Sequence, residues 1–210
     1  MMQYHRKTLI RVSLLLLSVY TGACWSEQSA ASTGHDHAAH RAAMQTSRYA
    51  IKQVNYAVPD VQLLNESGTT VRLQSLLDLD QSVALNFIFT TCTTICPVMT
   101  ATFAQMRREL GATADQVQFV SITIDPEYDR PDILKTYAAQ FGASAGWTFL
   151  TGKGTDIAQV LHSFNTYAGS KMNHQPVTLL KAAGSSEWTR IDGLASGRDL
   201  ADEVTTRLLN

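Results

Sequence analysis

The sequence predicts an α/β fold: a central mixed sheet flanked by helices, with an N-terminal β-hairpin extension. Three observations predict it. Val83-Ala84-Leu85-Asn86-Phe87-Ile88-Phe89 is a nearly continuous apolar run, as a strand covered on both faces requires. Segments whose apolar residues recur every three or four positions follow it, the spacing of helices with one inward face. Two pairs of short apolar runs, near 56–73 and 177–191, each flank a turn and read as hairpins.

Taken in order, residues 1–23 read as an export signal. His5, Arg6, Lys7 and Arg11 make a basic start, and Val12 to Ala23 is apolar. That apolar stretch is shorter than the roughly 20 residues a membrane span needs. Thr21-Gly22-Ala23-Cys24 resembles a bacterial lipobox, which makes Cys24 a candidate for lipidation. Ordinary cleavage near Ala23 and an uncleaved anchor are the alternatives. Each places the working protein in the cell envelope, facing the periplasm, with membrane contact only through an N-terminal anchor. Residues 24–48 are small and polar, as expected of a flexible linker. His35, His37 and His40 crowd around Asp36 there and form a candidate secondary metal site, against the plainer reading of a solvated tether.

The folded domain is expected over 49–210. Tyr56–Val58 and Val61–Leu64 read as an early strand, Asn65-Glu66-Ser67-Gly68 as a turn, and Thr70–Leu73 as the returning strand. A short helical turn is expected at 75–78, and the central strand at 83–89. After Pro97, Met99, Phe103, Met106 and Leu110 mark a helix that Gly111 ends. A second buried strand follows at 117–124. Pro131 opens a helix with Ile133, Leu134, Tyr137 and Phe141 on one face. A further helix is predicted over 155–167, then strands at 177–180 and 188–191. Ser196 or Asp199 caps a last helix with Leu200, Val204 and Leu208 inward. This order matches a thioredoxin-like sheet with additions.

The chemistry sits where the central strand meets the helix. Cys92 and Cys96 are spaced C-x-x-x-C, with Pro97 directly after. Proline suits the first helical position, so Cys96 is expected near the N-cap. A helix N-terminus carries partial positive charge and free amide donors, which favour thiolate over thiol. The pair can close as a Cys92–Cys96 disulfide, act as a redox pair, or open as a metal clamp. The hydroxyls of Thr90, Thr91, Thr93 and Thr94 could donate to the sulfurs, but are expected rather to satisfy loop backbone. No P-x-x-x-T-x-x-C arrangement of a peroxidase is present, and the spacing is not C-x-x-C. A copper site wants a third ligand. His162 falls inside a helical pattern and reads as a surface or packing residue. His174 precedes the late strand, where a thioredoxin-like sheet runs beside the cysteine loop. Cys92, Cys96 and His174 together suit copper, as Cu(I) or Cu(II). With only three cysteines and a net charge of −1, the chain is neither a disulfide-stapled scaffold nor a nucleic-acid binder.

Phe87-Ile88-Phe89-Thr90-Thr91-Cys92-Thr93-Thr94-Ile95-Cys96-Pro97 resembles the F-x-x-T-x-C-x-x-x-C-P segment of Sco/SenC proteins. Ser121-Ile122-Thr123-Ile124-Asp125-Pro126-Glu127-Tyr128-Asp129-Arg130-Pro131 is similar to that family's S-V-D-P-E-x-D-T-P stretch, and Asn173-His174 stands where it has Asp-His. The resemblance implies a thioredoxin fold and copper held by Cys92, Cys96 and His174. It also implies a metallochaperone serving the dinuclear copper centre of cytochrome c oxidase. The implied partners are the oxidase's copper-bearing subunit, other copper chaperones and thiol reductants. A thiol-disulfide oxidoreductase keeping partner cysteines reduced, with Cys92 and Cys96 as its redox pair, is the alternative, as is an envelope copper sensor or buffer. Asp125 and Asp129 match the family pattern and are expected to end a strand and cap a helix rather than to bind metal.

Overall fold

A computed structural model describes residues 49–209 except Leu79. The export signal, Cys24, and the linker with His35, His37 and His40 lie outside the described residues. The strands are β1 (Tyr49–Asn55), β2 (Gln62–Asn65), β3 (Thr70–Arg72), β4 (Ser82–Ile88), β5 (Val117–Thr123), β6 (Trp147–Thr151), β7 (Val177–Lys181) and β8 (Glu187–Gly193). They form one sheet in the order β1-β8-β7-β4-β5-β6-β2-β3. The helices are α1 (Leu73–Leu77), α2 (Ile95–Leu110), α3 (Pro131–Gln140), α4 (Gly154–Ser163) and α5 (Gly197–Leu208). The sheet is mixed, as expected: β4, β5 and β6 are parallel, and β4–β7, β7–β8, β8–β1, β2–β6 and β2–β3 are antiparallel.

β4 is buried along its whole length because helices cover both faces. Val83, Leu85 and Phe87 pack with Leu73, Leu77, Val160 and Trp188. Ala84 and Ile88 point the other way, into a cluster with Phe103, Met106, Leu134 and Leu200. The period-2 alternation of a strand thus feeds two cores at once. The helix α5 starts as its sequence predicts: Ser196 accepts from the Asp199 amide, and the Asp199 carboxylate accepts from the Ser196 amide.

Two strands escape the sequence reading. β6 carries Trp147-Thr148-Phe149-Leu150-Thr151 and pairs with β5. β1 pairs with β8 at the sheet edge and is half polar, so its hydrophobic pattern is weak. The hairpin is present, but its first strand is only Gln62–Asn65, and it extends the far edge through β6. Its turn is held by the Asn65 side chain, which accepts from the Ser67 and Thr69 amides. The helix expected to reach Tyr167 stops at Ser163. Asn165 adopts a left-handed φ of 51°, the Asn165 amide bonds to His162 O, and the Thr166 amide bonds to Leu161 O. That is a complete Schellman stop, with asparagine in the place glycine usually fills.

This topology fixes where the chemistry gathers. β4 and β5 run parallel, so both end at the same sheet edge, and antiparallel β7 begins there. The cysteine loop after β4, the Asp125–Asp129 loop after β5 and the His174 turn before β7 therefore meet at one end of the sheet.

Candidate metal and thiol centre

Both cysteines of the domain are free thiols; Cys96 is fully buried and Cys92 partly exposed. The helix α2 begins two residues before the expected start: Ile95 is its first residue and Pro97 its third. The shift costs no hydrogen bond, because amides of a helix's first turn have no intrahelical partner. It changes the role of Cys92. No side chain of Thr94 caps the helix; instead the Cys96 amide donates to Cys92 Sγ at 3.4 Å. The sulfur of Cys92 serves as the helix cap.

The two thiols are pushed in opposite directions. Partial burial works to raise Cys92, but the amides of Cys96 and Thr94 and the Thr94 hydroxyl, 3.6 Å from the sulfur, outweigh it and bring it down to about 7. Burial pushes Cys96 up to about 12; a backbone hydrogen bond with Phe89 offsets part of this, while Cys92 and Asp129 add to it. Near neutral pH the loop thus offers one partly exposed sulfur, about half of it thiolate, and one buried thiol. The threonines do more than serve loop backbone, contrary to expectation: Thr94 faces the Cys92 sulfur, and Thr90 serves a carboxylate.

That carboxylate is Asp129, which has no solvent exposure. It accepts from the Thr90 amide at 3.1 Å and from the Thr90 and Thr123 hydroxyls, each at 2.5 Å. It therefore joins the ends of β4 and β5 and fixes the residue two positions before Cys92. Asp125 differs: its backbone carbonyl closes a turn with the Tyr128 and Asp129 amides, and its side chain pairs with Lys171 Nζ at 2.5 Å. Contrary to the expectation from the sequence, neither aspartate caps a helix through its side chain.

His174 is 8% exposed, and its Nε2 lies 3.1 Å from Phe87 O. A carbonyl only accepts, so Nε2 carries the hydrogen and Nδ1 keeps the lone pair. Burial lowers the ring's pKa below the ordinary histidine value, with the Phe87 carbonyl working partly against that shift. The imidazole is thus neutral at physiological pH, the form that ligates metals. The structure brings Cys92 and Cys96 into contact and sets His174 at the same end of the sheet. Among the described residues no three His, Cys, Asp or Glu side chains are already gathered as a metal-binding group. His162 is exposed and stacks on Tyr167, with ring centroids 4.1 Å apart, as a surface residue.

Three further residues shape the site and were not singled out for it in the sequence. The Thr100 hydroxyl donates to Cys96 O at 2.9 Å, and with its one hydrogen so used it accepts from the Tyr137 hydroxyl at 2.9 Å. Burial, together with the nearby cysteines and Asp129, pushes Tyr137 up to about 12 against the Thr100 hydrogen bond, so it stays a neutral donor. These two brace the first turn of α2 from below. The signal for Thr100 was its place one helical turn after Cys96. Nothing local marks Tyr137, which arrives from α3, or Lys171.

Comparison with known proteins shows the family and the fold. The SCO1/SenC family model matches residues 50–208. The chain is 40% identical over 100 residues to the SCO1 protein homolog of Bacillus subtilis (strain 168), covering 47% of this chain and 51% of that protein. The chain spans about half the length of the curated relatives it matches. The structure of BsSco, described as a disulfide-switch member of the Sco family of cytochrome c oxidase assembly proteins, is 31% identical. It matches with a TM-score of 0.62 over 74% of this chain and 95% of that one. A SCO1/SenC family lipoprotein from Bacillus anthracis str. Ames is 25% identical, with a TM-score of 0.61 over 76% of this chain and 98% of that one. With a thioredoxin-like fold, the cysteine pair on a strand-to-helix loop and the family match across the whole sheet, the chain belongs to the SCO1/SenC family.

Proposed function

We propose that the protein binds copper through Cys92, Cys96 and His174 and delivers it to the dinuclear copper centre of cytochrome c oxidase. The carrying observation is the donor set. Cys92 is a sulfur close to its thiolate form, Cys96 lies directly against it, and His174 is a neutral imidazole with Nδ1 unprotonated. Soft thiolates with an imidazole suit copper, Cu(I) above all. Membership of a family that includes a cytochrome c oxidase assembly protein supports the direction of delivery. The copper is cargo: Cys92 is partly exposed, so a partner's ligands can replace it stepwise. The recipient would be the oxidase's copper-bearing subunit, and other copper chaperones or thiol reductants would load or reset the site.

The test is copper stoichiometry on the reduced full chain, with the three residues replaced singly. The wild type is expected to bind one copper at this site, Cys92→Ala and Cys96→Ala to lose it, and His174→Ala to weaken it at least about tenfold, about 1.4 kcal/mol. Reduced wild type that takes up neither Cu(I) nor Cu(II) would sink the reading.

One observation favours a second activity at the same loop, thiol-disulfide exchange. The asymmetry of the thiols suits it: Cys92 thiolate attacks a partner disulfide, forming a mixed disulfide and releasing one partner thiolate. Cys96 gives up its proton to the partner thiolate already released and attacks the Cys92 sulfur, forming the Cys92–Cys96 disulfide and releasing the second thiolate. The partner gains two electrons and this pair loses them. Reduction of a model disulfide that survives His174→Ala while copper binding falls would separate the two activities.

The protein is further proposed to work in the cell envelope on the periplasmic side, anchored through its N-terminus at a lipidated Cys24 or an uncleaved signal. His35, His37 and His40 are proposed to collect additional copper. Deleting residues 34–44 is then expected to lower total copper per chain, and an unchanged count would leave them a tether.

A further inference from the structure

The turn that carries His174 is internally tied but weakly seated. The Ser170 side chain accepts from the Met172 amide at 3.3 Å, the Asn173 amide bonds to Ser170 O at 3.0 Å, and the His174 amide bonds to Lys171 O at 3.3 Å. These bonds make Ser170–His174 one unit. What lies behind it is not packed. A cavity of about 130 Å³ runs beside His174, lined also by Ile124, Leu161, Thr166, Ser170 and Lys171. The chain leading in, Ala168-Gly169-Ser170, is exposed, and Gly169 has a left-handed φ of 73°. The Schellman stop at Asn165 fixes only the loop's far end. Its exit is held where the Gly193 amide donates to Pro176 O at 2.9 Å, and between these two ends side-chain ties from the unit to the sheet set where the imidazole stands.

The His174 ring bond to Phe87 O is one such tie, and ligating a metal leaves it in place, because it uses Nε2. The other is Lys171. Its ammonium bonds Asp125 Oδ2 at 2.5 Å and lies 5.7 Å from the Phe89 ring centroid. Asp125 closes the end of β5, and Phe89 is three residues before Cys92. A single side chain thus spans the end of β5, the root of the cysteine loop and the His174 turn. The Asp125 side chain is 8% exposed and Lys171's is 41% exposed. With one partner buried, the pair is not an ordinary surface ion pair, whose net worth is near zero.

We propose that Lys171 is a positioning residue that sets the place of His174 relative to Cys92 and Cys96. This rests on the copper reading for its effect on affinity, and on geometry alone for its effect on the imidazole. Lys171 touches no metal; it acts through His174. Its removal frees the turn to drift into the neighbouring cavity and shifts the imidazole relative to the cysteine loop.

The test combines two readouts on the reduced full chain. The first is Cu(I) affinity by competition with a chromophoric chelator, in a cycle of Lys171→Met and His174→Ala. Lys171→Met is expected to weaken Cu(I) binding about fivefold to tenfold when His174 is present and by less than twofold when His174 is alanine. Lys171→Arg, which keeps the ion pair, is expected to restore binding to within twofold. An equal loss in both backgrounds would show a general structural effect and overturn the proposal, as would no loss from Lys171→Met where His174→Ala causes one. The second readout needs no copper: the rate at which diethyl pyrocarbonate modifies His174, followed by mass spectrometry. Lys171→Met is expected to raise it at least about fivefold, and an unchanged rate overturns the proposal. If the wild type binds no copper while the modification rate rises, the copper reading fails and the positioning role of Lys171 stands.

Discussion

Iodoacetamide at pH 7 is expected to alkylate Cys92 at least about a hundred times faster than Cys96. The reasoning starts from the thiolate, the reacting form. A thiol brought down to about 7 is half ionised at that pH, whereas one pushed up to about 12 is ionised in roughly one molecule in 10⁵. The more basic sulfur is intrinsically the stronger nucleophile, which returns a factor of about 10² to 10²·⁵. A few hundredfold remains before access is counted, and Cys96 has no exposed surface. Peptide mass spectrometry at timed intervals reads both rates in one experiment. The Cys92 rate should also fall about tenfold per pH unit well below 7 and level off above 8, tracing the titration of a single group. Comparable rates for the two cysteines, or a Cys92 rate still climbing through pH 9, would contradict the helix-cap arrangement.

Replacing Asp129 by alanine is expected to lower the unfolding free energy by about 3 kcal/mol. The carboxylate is fully buried and serves three donors at the base of the cysteine loop: the Thr90 amide, the Thr90 hydroxyl and the Thr123 hydroxyl. A buried donor left without an acceptor costs about 1–3 kcal/mol, and relaxation keeps the total below the simple sum. Removing the costly burial of the charge itself returns part of the loss. Asp129→Asn keeps one acceptor oxygen and should cost less. Urea unfolding monitored by tryptophan fluorescence measures both variants. A loss below about 1 kcal/mol for the alanine variant would mean that these bonds are replaced on relaxation. Because Thr90 stands two residues before Cys92, the same variant should also blunt the alkylation contrast between the cysteines.

What could be read from the sequence follows from how locally each feature is encoded. The apolar run 83–89 marks β4 because burial on both faces leaves no room for alternation. Ser196 and Asp199 mark the start of α5 because a capping box is contained in four residues. The cysteine pair is legible for the same reason. β1 is not: an edge strand with one partner needs little hydrophobicity, and Tyr49–Asn55 shows little. The early end of α4 turns on the left-handed conformation of Asn165, which other asparagines adopt or decline with context. The helix start at Ile95 has no local mark, because proline is accepted at any position of the first turn and Pro97 therefore does not fix which residue comes first. Tyr137 and Lys171 come to the site from separate segments outside any motif, so their roles are products of sheet order; Asp129 stands in the 121–131 motif, but its bonds to Thr90 depend on β5 lying beside β4.

The capping of α2 by the Cys92 sulfur has a spectroscopic consequence. The hydrogen of the Cys96 amide has that sulfur as its acceptor, at 3.4 Å. Its chemical shift and its exchange with solvent therefore depend on how much electron density the sulfur offers. Protonation of the thiol, formation of the disulfide and capture of a soft cation each draw on the same lone pairs. One backbone resonance, assignable without any label on the thiol, is thus a reporter of the loop's chemical state.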